Sequence, residues 1–220
     1  MTRGDITILK GLLSLAGDKN LRVLEWGSGN STIYYSKFLS SVKRNFQWLA
    51  IESNRTWYER AIRQIRKNQL AERVQVRLYE FPDPRQAWQE NRIHEALSSK
   101  EVQKYIYSPK DDDLQFDVII VDGRLRRRCL LASLDILAPQ GIVFLHDAHR
   151  TQYQSALESY PHVRFLLTGN SKLPQLVLCG LSSAHLIEKI TDHYGEIATT
   201  GEWCDDQLFS PGHVSIPQND

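Results

Sequence analysis

The stretch that most constrains the fold is residues 21–32, where a short apolar run ends in Glu25. It is followed by Gly27, Gly29 and the polar pair Asn30–Ser31, which can cap a helix. Glycines allow the backbone to adopt positive φ and to pass close to a ligand. The start of a helix presents N–H groups that have no partner within the helix. The pattern therefore predicts a strand, a glycine-rich loop and a helix that together form a nucleotide-type binding site.

The residues around the two glycines separate two classes of ligand. A dinucleotide-binding fingerprint would carry a third glycine or alanine where this chain has Thr32. Glu25 would repel a pyrophosphate and would attract a ligand that carries an ammonium or sulfonium group. The alternative interpretation is a plain strand-to-helix turn with Glu25 in solvent.

At these residues the chain resembles motif I of the class I S-adenosylmethionine (SAM)-dependent methyltransferases, in which an acidic residue precedes a G-x-G turn. The resemblance implies that SAM is the cofactor. A second acid, Glu52, ends the next predicted strand, where such folds hold ribose hydroxyls because a carboxylate accepts two O–H bonds. NAD proteins also carry this acid, and an exposed Glu52 beside a helix cap is the alternative. The predicted cofactor-binding residues are Glu25, Gly27, Ser28, Gly29, Ser31, Thr32, Glu52, Ser53 and Asp122.

Strand-like and helix-like segments alternate along the chain, which favours an α/β fold with an open, mostly parallel sheet. The predicted strands cover residues 21–25, 46–51, 74–78, 116–121, 141–145, 163–167 and 175–179. The last two are predicted to form an antiparallel hairpin. The methyltransferase resemblance implies a Rossmann-like sheet of seven strands in the order 3-2-1-4-5-7-6, with strand 7 antiparallel and helices on both faces.

The 220 residues are expected to form a single methyltransferase-like domain with its core at about 20–180. An N-terminal helix over 5–16 is expected to pack on the sheet edge and to cover the cofactor crevice. A helix over 125–137 is expected to stop at the turn signal Pro139–Gly141. The tail at 181–220 receives no assignment.

Acidic residues follow four of the predicted strands, namely Glu25, Glu52, Asp122 and Asp147. Because the carboxyl ends of parallel strands meet at one edge of a sheet, these acids are expected to share one rim. Methyl transfer needs donor and acceptor held in line, and a hydroxyl acceptor also needs a base or a metal ion. The predicted catalytic residues are Asp122, His146, Asp147 and His149. The alternatives are a helix N-cap for Asp122, and packed or solvent-facing histidines.

The segments around Asp122 and Asp147 resemble the O-methyltransferase branch of this fold. In its metal-dependent members an Asp after strand four and an Asp-Asn pair after strand five bind Mg²⁺. Asp122 and Asp147 match the two acids and are the candidate metal ligands, but Ala148 replaces the Asn, so the need for a divalent metal ion stays open. A looser likeness is to methyltransferases that modify sugar-acid hydroxyls in polysaccharides.

Four arginines crowd the start of the helix predicted after Asp122, at positions 124, 126, 127 and 128. Positive charge there opposes the preference of the helix macrodipole. The cluster predicts an anionic substrate or a carboxylate partner such as Asp147. The alternative is a solvated basic face.

Composition bears on the partners and the cellular compartment that can be expected for the protein. A formal net charge of +1 does not favour a nucleic-acid partner. The three cysteines carry no C-x-x-C spacing, which suits a reducing compartment, and Cys129 and Cys179 lie in apolar segments that predict buried thiols. No stretch matches a signal peptide or approaches the ~20 apolar residues of a membrane span. We therefore expect a cytoplasmic protein with no membrane partner, of open oligomeric state.

The sequence as a whole predicts a SAM-dependent methyltransferase that acts on an oxygen of a small molecule or glycan, with an anionic acceptor fitting the arginines. A non-catalytic module of the same fold, binding a nucleoside or a protein partner, is the main alternative. An NAD-dependent oxidoreductase is a further alternative, which Glu25 and Thr32 disfavour.

Overall fold

A sheet of seven strands forms the centre of the computed structural model, which describes residues 1–17, 20–82, 93–168 and 175–200. The strands are β1 (Leu21–Trp26), β2 (Phe46–Glu52), β3 (Val74–Leu78), β4 (Phe116–Val121), β5 (Leu137–His146), β6 (His162–Leu166) and β7 (Leu176–Gly180). Their order is β3-β2-β1-β4-β5-β7-β6, and β7 runs antiparallel to both of its neighbours. The predicted α/β class, strand order and antiparallel seventh strand are confirmed.

Helices cover both faces of this sheet. They are α1 (Arg3–Leu15), α2 (Asn30–Ser41), α3 (Arg55–Lys67), α4 (Ile93–Ser98), α5 (Lys100–Tyr107), α6 (Arg126–Ser133), α7 (Gln154–Leu157) and α8 (Ala184–Thr200). Along β4, Val118 and Ile120 join the apolar core beneath α1, α2, α3 and α8, whereas Ile119 and Val121 join the core beneath α5, α6 and α7. A strand that is buried on both faces needs a continuous apolar run, which the β4 sequence supplies. Cys129 and Cys179 are fully buried in the second core, as expected.

The register of the parallel strands aligns their carboxyl ends. Trp26 pairs with both Ile51 and Val121, and Val121 pairs with Leu145. Ile51 is followed by Glu52, Val121 by Asp122 and Leu145 by His146, and all three of these following residues are polar. Three of the side chains predicted to matter therefore lie along one edge of the sheet.

The N-terminal helix extends over Arg3–Leu15 rather than over 5–16, because Thr2 and Asp5 form a capping box at its start. It packs against α8, which comes from the tail that received no assignment. Ile187 and Ile190 of α8 are buried in the same core as the apolar residues of α1. Part of the tail thus completes the core, and residues 201–220 lie outside the described structure.

The predicted end of the helix after β4 and the predicted start of β5 are wrong. The helix expected over 125–137 ends at Ser133, and β5 already begins at Leu137. The turn signal Pro139–Gly141 lies inside β5, where the register with β4 shifts between Phe116 and Val118. Proline lacks the N–H that a sheet ladder needs and is tolerated at such irregularities. The residues predicted to form a turn therefore lie at an interruption of the strand pairing within β5.

Candidate active site at the carboxyl edge of the sheet

Two glycines bring the loops after β1 and β4 into direct contact. Gly27 has a φ of +100°, and a Cβ atom there would lie 2.8 Å from the Cα of Gly123. In the opposite direction, a Cβ atom on Gly123 would lie 2.8 Å from the nitrogen of Gly27. The two main chains can approach this closely only because neither residue has a side chain.

Replacing Gly123 with alanine is expected to lower the free energy of unfolding by about 2 kcal/mol, as overpacking of a filled space does. The added methyl group would overlap the hydroxyl of Tyr105 and the main chain of Gly27 and Trp26. Urea unfolding followed by circular dichroism measures the change. Gly29→Ala is the matched control, because its Cβ atom would meet nothing nearer than the Trp57 ring at 3.9 Å. Equal stability of the two variants would contradict the prediction.

Glu25 lies beneath the glycine-rich loop and is fully buried. Its carboxylate accepts hydrogen bonds from Ser31 Oγ at 2.6 Å, Thr32 Oγ1 at 2.6 Å and Trp48 Nε1 at 3.0 Å. Burial raises the pKa of Glu25 to about 7, against the opposing effect of these three donors. The interpretation of Glu25 as a solvated side chain is wrong. Glu25 instead fixes the first turn of α2 to β1 and β2.

A cavity of about 470 Å³ opens beside the same loop, a size typical of small-molecule sites. Of the predicted cofactor-binding residues it is lined by Gly27, Ser28, Gly29, Ser31, Glu52, Ser53 and Asp122. The lining also includes residues that the sequence did not single out for this purpose, which are Met1, Asn30, Tyr35, Asn54, Trp57, Gly123, Arg124 and Arg126. Glu25 and Thr32 are absent from the lining, because both are fully buried behind the loop. The structure thus places them as supports of the wall.

Glu52 joins the end of β2 to the glycine-rich loop from within the cavity wall. One carboxylate oxygen accepts from the nitrogen and the hydroxyl of Ser28, at 2.8 and 2.9 Å. The other accepts from the nitrogens of Ser53 and Asn54, at 2.7 and 2.9 Å. Only 6% of Glu52 is exposed, so an exposed glutamate beside a helix cap is not what the structure contains. The Ser28 hydroxyl is the one donor of the four that can rotate away without movement of the backbone.

His146 is held between carboxylates from two distant parts of the chain. Its Nδ1 lies 3.0 Å from Asp122 Oδ1 and 3.4 Å from Asp147 Oδ1, and its Nε2 lies 3.2 Å from Asp5 Oδ2. Burial alone would lower the pKa of His146, but the hydrogen bonds to Asp122 and Asp5 and the nearby negative charges raise it to about 9. The imidazole is therefore protonated near pH 7 and donates from both nitrogens. Both ring nitrogens are already bonded to carboxylates in this arrangement, and the place of His146 among the catalytic candidates stays a prediction.

Arg126, the first residue of α6, links the loops after β4 and β5. Its guanidinium contacts Asp122 Oδ1 and Asp147 Oδ2, each at 3.0 Å, and donates to the carbonyl oxygens of Asp122, Gly123 and His146. The predicted carboxylate partner Asp147 is confirmed for this arginine. Asp122 is not a helix cap, since α6 follows Leu125 rather than Asp122. The charges of His146 and Arg126 outweigh burial and hold the pKa of Asp147 below its usual value.

His149 does not join this cluster. It is exposed, and no hydrogen bond or ion pair links it to the cluster within the described ranges. Asp5, by contrast, was not predicted as a site residue, although it is fully buried and bonds to both His146 and Thr168. Its only sequence signal is the helix cap that it forms with Thr2.

The predicted metal ligands do not fit a Mg²⁺ site as they stand. Ligand atoms of Asp122, His146 and Asp147 lie within 4.8 Å of one another, which is close enough for a shared ion. However, Mg²⁺ requires a near-octahedral shell of oxygens, and both carboxylates here are paired with Arg126 and His146. Ala148, where the resemblance would place an Asn ligand, is buried and contributes no oxygen from its side chain.

No protein-family model and no curated protein sequence matches the chain. Solved structures do. The O-methyltransferase TomG from Streptomyces achromogenes, involved in tomaymycin synthesis and solved with SAM, superposes with a TM-score of 0.52 at 16% identity, over 81% of this chain and 79% of that one. An O-methyltransferase from Bacillus cereus in complex with SAH gives 0.51 at 16% identity, over 80% and 78%. These likenesses show a shared fold. No helix in the described part of this chain has the length and apolar character to cross a membrane.

Proposed function

Since the chain has the fold of the class I SAM-dependent methyltransferases, we propose that it binds SAM in the cavity beside Gly27 and transfers the methyl group to an acceptor oxygen. The observation that carries the proposal is the coincidence of this cavity with the predicted cofactor residues. Glycine-rich main chain forms one wall, and a buried acid stands at the end of β2. The glycine-rich wall lets a nucleoside lie against the main chain, and the acid can accept hydrogen bonds from its ribose hydroxyls.

Glu52 is the proposed ribose ligand, and the start of α2 is the proposed partner of the cofactor's carboxylate. A ribose hydroxyl takes the place that the Ser28 hydroxyl holds on Glu52, since that donor can turn away. The main-chain N–H groups of Asn30 and Ser31 lie at the start of α2, where the helix dipole favours binding of an anion. Glu25 acts on the cofactor indirectly, by holding Ser31 and Thr32 in place.

The acceptor is proposed to be a small molecule or a glycan that carries negative charge. Arg124 and Arg126 both line the cavity on the side of the catalytic candidates. Methyl transfer from a sulfonium is an in-line displacement that depends chiefly on alignment. Because His146 is already protonated, the acceptor proton passes to a carboxylate of the cluster, Asp122 or Asp147.

Isothermal titration with S-adenosylhomocysteine tests the cofactor site. We expect a dissociation constant of roughly 1–100 µM for the wild type, and at least about tenfold weaker binding for Glu52→Gln, which loses one charged acceptor. Glu80→Gln is the control, because Glu80 is an exposed acid that pairs with Arg55 and does not line the cavity. A wild type that does not bind at roughly 1 mM ligand, or a Glu52→Gln variant that binds equally well, would remove the proposal.

One observation favours a second candidate, a module that binds the nucleoside but transfers nothing. His146, Asp122 and Asp147 are all engaged in ion pairs with one another or with Arg126, so each candidate base in the described cluster already has a partner of opposite charge. Acceptor pools incubated with methyl-labelled SAM separate the two functions. Label that passes to any acceptor with wild type but not with Asp147→Asn supports the enzyme, and binding of SAM without any transfer supports the module.

A further inference from the structure

The carboxylate cluster at the ends of β4 and β5 has the composition of a cation site, and it already contains a cation. Two acids and an imidazole place ligand atoms within 4.8 Å of one another. The Arg126 guanidinium contacts both acids at 3.0 Å. We propose that Arg126 occupies the position from which a divalent metal ion would bridge Asp122 and Asp147, so that the fixed positive charge of this site belongs to the chain itself.

The guanidinium is built into the fold. Only 13% of its side chain is exposed, and three of its hydrogen bonds go to main-chain oxygens, those of Asp122, Gly123 and His146. A planar fork of five donors suits two carboxylates and several carbonyls at once, which a lysine ammonium does not. The side chain therefore holds the ends of β4 and β5 at a fixed spacing, in addition to neutralising the acids.

A metal ion would have to displace this arginine. Mg²⁺ and Mn²⁺ bind carboxylate oxygens at roughly 2.1 Å, far inside the N–O separation seen here. An ion bound to Asp122 Oδ1 and Asp147 Oδ2 would compete for the two oxygens that the guanidinium nitrogens contact. His146 offers no alternative ligand, because each of its ring nitrogens is bonded to a carboxylate.

Which cation the site contains is a question beyond methyl transfer, and its answer does not depend on whether SAM is the ligand. Arg126 acts as a positioning residue for the cavity wall. The two acids become a metal site once the guanidinium is removed. Cation binding and binding of S-adenosylhomocysteine are separate measurements, so failure of one is distinguishable from failure of the other.

Titration with Mn²⁺, followed by electron paramagnetic resonance of the free ion, tests the inference. The wild type is expected to bind no ion at this site up to roughly 1 mM, and Arg126→Gln to bind one ion at least about tenfold more tightly. The double variant Arg126→Gln/Asp147→Asn is expected to lose that gain. Arg127→Gln is the matched control, since the neighbouring Arg127 bonds to Ser155 instead of to the acids.

Two results would overturn the inference. One is a wild type that binds Mn²⁺ tightly and loses the ion in Asp147→Asn. The other is an Arg126→Gln variant that is folded by circular dichroism and yet gains no site. Should Arg126→Gln fail to fold, the wild type and Asp147→Asn still decide the question, because tight binding lost in Asp147→Asn refutes the inference and absence of binding by the wild type supports it.

Discussion

The free energy of unfolding is expected to fall by about 3 kcal/mol as the pH rises from about 6.5 to beyond 9, because His146 loses its proton. Hydrogen bonds to Asp122 and Asp5 and the nearby negative charges raise the pKa of His146 from its ordinary value of 6.5 to about 9 in the folded chain. The folded state therefore holds a proton that the unfolded chain releases first. The resulting stabilisation is fully present below pH 6.5 and is lost as the pH passes through the folded value.

Urea unfolding at several pH values, with His146→Gln as the reference, measures this loss. Glu25 and the buried thiols of Cys129 and Cys179 also have raised pKa values, but both proteins contain them, so the difference in stability between the two proteins isolates the histidine. The difference in stability between wild type and His146→Gln should shrink across the alkaline range. Parallel profiles for the two proteins would show that the imidazole is not protonated in the folded state.

Asp5 offers a second test of the same contact. Asp5→Ala is expected to cost about 3–5 kcal/mol at pH 7, the range for removal of one partner from a buried ion pair. Asp5 is fully buried and accepts bonds from Thr168 as well as from His146. Thr2→Ala is the matched control, because it removes the helix cap alone and should cost about 1 kcal/mol without altering the pH profile. Similar losses in both variants would mean that Asp5 acts only as a cap.

Replacement of Glu25 by alanine is expected to lower the free energy of unfolding by about 4 kcal/mol. The substitution removes the acceptor of three donors, namely the buried Thr32 hydroxyl, the buried Trp48 indole N–H and the partly buried Ser31 hydroxyl. It should also weaken binding of S-adenosylhomocysteine, since Thr32 Oγ1 accepts from the Gly29 nitrogen and so orders the loop. Urea unfolding and calorimetric titration measure the two effects.

Two further substitutions serve as comparisons for Glu25→Ala. Glu25→Gln keeps the side-chain volume and one acceptor oxygen, so it should cost less than Glu25→Ala does. Glu72→Ala removes an exposed acid and should change stability by less than about 0.5 kcal/mol. If Glu25→Ala were no more destabilising than Glu72→Ala, Glu25 would not brace the loop.

The fold could be predicted because its signals are local. The apolar runs that become β1, β2 and β4 are short, continuous and separated by helical segments, and the acids that follow them mark the strand ends. The orientation of Glu25 was not predictable in the same way. Alternation places it on the face of Val23, where it meets Trp48 and the start of α2 rather than the cavity.

The cluster around His146 depends on contacts that no short window of sequence contains. Asp5 and His146 are 141 residues apart and meet only when α1 packs beside the end of β5. An arginine at a helix start is unfavourable by local rules, and Arg126 is explained only by its contacts with Asp122 and Asp147 in the folded chain. The break in β5 was missed because Pro139 has the same local appearance in a turn and in an interrupted strand.

The main-chain contact between Gly27 and Gly123 has a consequence for how the cavity can adapt to what it holds. The loops after β1 and β4 cannot slide past or away from each other without breaking that contact, so the inner wall is stiff. Adjustment to ligands of different size is therefore expected from lining residues whose side chains can change rotamer, such as Met1 and Trp57. Substitutions at those two positions are the most direct way to widen or narrow the range of molecules that the cavity admits.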